Sequence, residues 1–163
     1  MIEKDNIVLN GKGYTIQGDS KDTAGSAIII QPLNYTDDIG RRNITITNLV
    51  LRNFVGGVDA SYLFDSVITA NTIRGTNAVG LGIHSSSNQV SNNMLVASDQ
   101  NLGCGISVSG SSNNISQNSV TGFYKGVEIL QATTTLLHTT LWQTLYQLNY
   151  GITRPIQKYE TTP

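Results

Sequence analysis

Short apolar runs alternate with Asn/Ser corners along most of this chain. The stretch Asn88 to Leu130 shows the pattern best. It holds two copies of one unit: a polar corner, a short apolar strand, a loop, then glycine followed by a β-branched residue and a second alternating strand. Asn93-Met94-Leu95 answers Asn118-Ser119-Val120, and Gly105-Ile106-Ser107-Val108 answers Gly126-Val127-Glu128-Ile129. Upstream, Asn43 to Leu51, Val67 to Ile73 and Gly82-Ile83-His84 continue the pattern. Period-two alternation bounded by turn residues predicts strands.

The Gly-[Val/Ile] landmarks stand at 57, 82, 105 and 126, and the Asn landmarks at 71, 93 and 118. Their spacings are 25, 23 and 21 for glycine, and 22 and 25 for asparagine. A drifting period of this size, built from strands and turns, predicts a β-solenoid. A leucine-rich repeat has a similar length, but its fixed leucine frame is missing. Successive coils stack at about 4.8 Å, so inward positions form columns of like residues. The expected columns are Ile68/Val90/Ile115, Ile73/Leu95/Val120 and Val58/Ile83/Ile106/Val127. Asn71, Asn93 and Asn118 should stack at a bend, bonding the next coil and taking the left-handed backbone that asparagine tolerates. Glycine should let the chain enter the third strand without a clash.

Residues 5–32 supply an earlier coil, and 33–42 read as a polar loop projecting from one corner. After Gln131 the composition changes: residues 131–163 contain no Ser, one Asn, one Gly and nine Thr. The chain therefore divides into a β-helix, 1–130, and an atypical tail, 131–163. Leu136, Leu137, Leu141, Leu145 and Leu148 have near-helical spacing, which suits a cap over the last coil. The tail also reads as a frameshift product. Back-translated from Gln131 into the frame that joins each last codon base to the next two, it yields, with suitable codons, another Asn-rich coil. Sequencing the gene region decides this.

Composition narrows the classes. Only 13% of residues are charged and the net charge is -1, so there is no electrostatic footprint for nucleic acid. Aromatics are 7% while apolar residues reach 39%, so the core must be aliphatic. No run is long enough to span a bilayer as a helix. The single Cys104 excludes an internal disulfide. Met1-Ile2-Glu3-Lys4 is not a signal peptide, and the strand pattern begins almost at once, which reads as a truncated N-terminus.

The opening NIVLNGKGYTIQG, the Asn-x-Ile corners and the Gly-Ile strands resemble the NosD-like right-handed parallel β-helix repeats of the pectate-lyase-like superfamily. The resemblance covers about residues 5–130. It implies a single-stranded right-handed parallel β-helix, and with the repeat count and the composition change the chain reads as all-β, of about five coils with a non-repeat C-terminal tail. It also implies an extracellular, cell-surface or periplasmic location. The group includes a periplasmic accessory factor for copper insertion and, more distantly, polysaccharide lyases and hydrolases.

For chemistry, the outward positions after the glycines are expected to form one exposed column of Asp59, His84, Ser107 and Glu128. Such a face suits a polysaccharide or another cell-surface partner. Asp59 and Glu128 lie three coils apart, too far for paired acid–base chemistry, so no catalytic residue is assigned. A lyase would add an aspartate cluster for calcium and an arginine base; Arg52 and Arg74 stack one coil apart, but without the acids. Asp37-Asp38 resembles the hydrolase doublet only superficially. For copper, Met94, Cys104, His84 and His138 are the candidate ligand types; a copper role predicts a site of Cys104 and His84, near the same strand on neighbouring coils, but there is no Met-rich or His-x-His cluster, and Cys104 reads as a small packed residue. No metal site or cofactor is assigned, calcium and copper included. Phe123 and Tyr124 form the expected exposed pair for sugar stacking. The sequons at Asn43 and Asn114 are expected at buried corners. The leading reading is a non-catalytic repeat module of an exported protein. The alternatives are a polysaccharide lyase or glycoside hydrolase, and a copper-delivery accessory protein. Open coil ends expose strand edges and favour end-to-end self-association.

Overall fold

A computed structural model describes residues 1–19, 25–30, 32, 40–98 and 102–130, together with the strands Leu136–Leu141 and Tyr146–Leu148. The described residues are all-β, every named pairing is parallel, and none of them is helical.

Three ladders wind around one aliphatic core. The first contains Val8–Asn10, Thr45–Thr47, Val67–Thr69, Gln89–Ser91 and the start of Asn114–Thr121. The second contains Thr15–Gln17, Val50–Arg52, Thr72–Thr76, Met94–Ala97 and the end of Asn114–Thr121. The third contains Ser26–Ile29, Gly56–Ala60, Val79–His84, Leu102–Ser109 and Phe123–Leu130. This is a β-solenoid, and its coil count differs only slightly from expectation. Arg41–Arg42 pairs with Leu63–Phe64 as a short fourth ladder, so the 33–42 segment ends in a strand.

Two of the expected columns are present. Leu9, Ile46, Ile68, Val90 and Ile115 face one another in the first ladder, and Ile16, Leu51, Ile73, Leu95 and Val120 in the second. Alternation places these side chains inward, and all from Ile46 and Leu51 onward are buried. At the first coil Ile16 remains 40% exposed, because no strand covers its ladder on that side.

The third column is corrected. It runs Val58, Leu81, Ile106, Val127, while Ile83 pairs with Ala60 and Val108. The glycine that belongs to it is Gly80, not Gly82. A Cβ on Gly57 would lie 2.3 Å from the Gly80 carbonyl oxygen, one on Gly80 2.6 Å from that of Gly105, and one on Gly105 2.6 Å from that of Gly126. The same positions press on Ile73, Leu95 and Val120. Glycine is needed here because the second ladder's core side chains fill the space.

Asn71, Asn93 and Asn118 form the expected buried stack. Asn71 Nδ2 donates to Asn93 Oδ1 at 3.0 Å and Asn93 Nδ2 to Asn118 Oδ1 at 3.0 Å. Each oxygen also accepts the backbone N–H one coil back, and each amide nitrogen reaches a carbonyl. The left-handed residue is the one before: Asn48, Ala70, Asn92 and Gln117 have φ of 55° to 56°. A second stack of the same design, Ser66/Asn88/Asn113, closes the other end of the first ladder. It is preceded by left-handed Asp65, Ser87 and Ser112. The sequon residues Asn43 and Asn114 are exposed, not buried; the buried partner at the later corner is Asn113.

Beyond Leu130 the ladders continue. Leu136–Leu141 pairs in parallel with Asn114–Thr121, and Tyr146–Leu148 with Phe123–Leu130. The near-helical leucine spacing therefore does not give a helix over Leu136–Leu141, where strand pairing prevails. Asp37, Asp38 and Leu145 lie outside the described residues. His138 is placed only as a strand position.

Candidate functional site

The outer face of the third ladder carries the predicted site residues, and the shifted glycine register rearranges them. Asp59 faces Gly82, Gly82 faces Ser107, and Ser107 faces Glu128. His84 lies two residues further along its strand, opposite Ser109. The expected column of Asp59, His84, Ser107 and Glu128 is thus not formed, since the two glycines in Gly80-Leu81-Gly82-Ile83 offered two registers and packing selected the first.

The row carries a gap instead. Gly82 leaves the space between Asp59 and Ser107 without a side chain, and a groove of about 240 Å³ lies over this side of the ladder, lined from the strands of Ser26, Asp59 and Gly82. Ser26, Gly56, Asp59, Ser61, Gly82 and His84 contribute to its lining. The Asp59 carboxylate accepts from the Ser61 N–H at 3.1 Å and from the Ser61 hydroxyl, which fixes its orientation. His84 is exposed, and its Nδ1 shares a hydrogen bond of 2.9 Å with Ser109 Oγ. The groove therefore sets one carboxylate, one imidazole and two serine hydroxyls beside glycines and the apolar Val55, Ala78 and Val79.

Further along the row the character changes. Ser107 is buried, so it is not a ligand-presenting residue in this structure. Glu128 is half-buried and paired with Lys125; that hydrogen bond raises the lysine's pKa. Asp59 and Glu128 stand three strand spacings apart, about 14 Å. Paired glycosidase carboxylates lie about 5–9.5 Å apart. Cys104 is buried on this outer face, outside the aliphatic core cluster, and its thiol donates to the Ile106 carbonyl at 3.3 Å. Burial, reinforced by Glu128, pushes its pKa up to about 12. Cys104 pairs with Val79 and His84 with Ser109, so five residues, about 17 Å of strand, separate the two candidate copper ligands. Met94 is on the second ladder. Among the described residues no three His, Cys, Asp or Glu side chains gather as a metal site.

The aromatic pair divides. Phe123 is buried, its ring packed over the glycine column beside Gly80 and Gly105, whereas Tyr124 is half exposed. Phe123 thus serves the core and leaves only Tyr124 for stacking on a ligand. The second asparagine stack was also missed from sequence. Its signal was present: a polar residue stands two positions before Ile68, Val90 and Ile115, as it does before Ile73, Leu95 and Val120.

A stacked parallel ladder with asparagine corners and a groove on one sheet face defines the class as a single-stranded parallel β-helix. Residues 1–154 match the family described as periplasmic copper-binding protein (NosD), and the chain belongs to that family. Neither the curated proteins nor the solved structures contain a match to it. No helix among the described residues is long and apolar enough to cross a membrane.

Proposed function

We propose that the chain is a non-catalytic recognition module of an exported or periplasmic protein, and that its third-ladder groove seats a sugar of a polysaccharide. The observation that carries this is the groove over Gly82, with Asp59, Ser61 and His84 around it. The glycines with Val55, Ala78 and Val79 give an apolar surface for the C–H face of a sugar ring, and the surrounding hydroxyl, carboxylate and imidazole groups match sugar hydroxyls as acceptors and donors. The single oriented carboxylate argues against glycoside hydrolysis, which needs two within reach of one bond. The exported location rests on the family's description.

The test is binding of the purified chain to a polysaccharide array, with the same wells assayed for new reducing or unsaturated ends. Binding that falls on Asp59→Asn or His84→Ala, without new ends, supports the reading. New ends would make the chain an enzyme, and no binding to any glycan would refute recognition.

The family's description also supports a second reading, copper binding. Within the described residues His84, Met94 and Met1 are exposed soft or imidazole groups, and His84 and Met94 stand on different ladders. The Cys104 thiol is protonated at neutral pH, which makes it a poor ligand. Titration with Cu(I) and Cu(II) tests it. Submicromolar binding lost on His84→Ala would favour copper over sugar.

A further inference from the structure

The outward row of the second ladder holds a feature the groove does not use. Arg52 and Arg74 are direct register partners, both exposed, with Gln17 on one side and Val96 on the other. Parallel stacking sets their backbones one strand spacing apart, about 4.8 Å. Like charges directly opposite in a ladder repel, whereas an acid beside such a base stabilises the pair. Here neither guanidinium has a carboxylate partner among the described residues. Arg74 Nη2 donates to the Met94 sulfur at 3.2 Å, a weak acceptor that leaves most of its N–H groups unspent. The chain as a whole carries a net charge of -1, so the pair is a local positive spot on a slightly acidic protein.

We propose that Arg52 and Arg74 form a second subsite, which takes the carboxylate or sulfate oxyanion of an acidic polysaccharide. This rests on the glycan-recognition reading above and adds the ligand's chemical class. Two guanidinium forks at strand spacing can share one planar or tetrahedral oxyanion, each giving paired N–H donors. The surroundings favour a sugar over a phosphate backbone. Thr15, Val50, Thr72 and Met94 make the adjacent outward row, a mix of hydroxyl and small apolar groups, and Met94 is 41% exposed. A nucleic-acid strand would need a longer basic stripe than two residues. Bound anion also removes the repulsion between the two arginines, so the site gains from occupancy.

The experiment titrates the full chain with polygalacturonate, dextran sulfate, neutral dextran and a single-stranded oligonucleotide. It uses the wild type, the Arg52→Gln/Arg74→Gln double variant, Arg74→Glu and the groove variant His84→Ala. The wild type should bind the two charged glycans at least tenfold more tightly than dextran, with affinity falling as salt rises. The double variant should lose at least tenfold on the charged glycans alone. Arg74→Glu places an acid opposite Arg52, so it should keep or raise the melting temperature while losing the same binding. That pairing separates loss of the site from loss of the fold. Charged-glycan binding unchanged in the arginine variants but lost in His84→Ala would overturn this proposal and leave the groove reading standing. Tighter binding of the oligonucleotide would also overturn it. If no glycan binds at all, both readings fall together.

Discussion

Asn93 is the middle member of its stack, and replacing it with alanine should cost about 3 kcal/mol. Four hydrogen bonds involve its side chain. Its Oδ1 accepts from the Asn71 N–H and from Asn71 Nδ2, each at 3.0 Å. Its Nδ2 donates to the Ile68 carbonyl at 2.9 Å and to Asn118 Oδ1 at 3.0 Å. Not all four losses leave an orphan. Asn71 Nδ2 keeps the Ile46 carbonyl, and Asn118 Oδ1 keeps the Asn93 N–H. The Asn71 N–H is the group left buried and unpaired, at about 1–3 kcal/mol, and the Ile68 carbonyl loses one of its donors. The small void adds up to about another kilocalorie per mole. Urea unfolding followed by circular dichroism measures the sum, with Asn114→Ala as the exposed control, expected within about 0.5 kcal/mol of wild type. Native-state hydrogen exchange should also accelerate at Asn71. A loss at Asn93 no greater than at Asn114, with an unchanged denaturant slope, would refute the claim that the stack holds the corner.

Further outcomes follow from the same structure. Gly105→Ala should destabilise by more than about 2 kcal/mol, since its Cβ would sit 2.2 Å from Val120 Cγ1 and 2.6 Å from the Gly126 carbonyl oxygen; the melting temperature reads this. Ala70→Gly should stabilise by roughly 0.5–1 kcal/mol, because Ala70 holds a φ of 56°, which glycine adopts without strain; a loss on urea unfolding would contradict it. Cys104 should resist alkylation at pH 8 in the folded chain. Its raised pKa means the folded state holds the thiol proton more tightly than the unfolded state does. The stability this gives is therefore present below about pH 9 and lost as pH climbs toward about 12, which a pH series of unfolding curves would show. Arg41→Met should raise stability by about 1–2 kcal/mol. The Arg41 side chain is 9% exposed, its Nε and Nη2 have no hydrogen-bond partner, and the Asp5 carboxylate stands 4.0 Å from Nη1; a lower unfolding midpoint would argue against this.

The fold was legible because its columns repeat in the sequence. Ile68, Val90 and Ile115 each follow a polar corner by two residues, so their stacking is written in the spacing itself. The site was less legible, for a physical reason. Gly80-Leu81 and Gly82-Ile83 are equally good local patterns. Only the packing of Gly80 against Leu95 and the Gly105 carbonyl decides between them. A two-residue shift keeps every side chain on its face, so alternation cannot detect it. It nevertheless moves His84 out of the Asp59 row and puts a gap in its place. Phe123 fell to the same limit, because the volume it fills is made by glycines on two other coils.

The two asparagine corners also divide the coil into a part that is indexed and a part that is free. Ser66 to Asn71, Asn88 to Asn93 and Asn113 to Asn118 are each five residues. Yet partners in the stacks are 22 residues apart in one step and 25 in the next. All of the difference is taken up on the way around the second and third ladders. The first ladder thus acts as a spine with fixed notches, and length changes accumulate across the molecule from it. Loops inserted between the second and third ladders would lengthen a coil without moving its notches. Descendants of such a chain can reshape the far side one coil at a time while the spine keeps count.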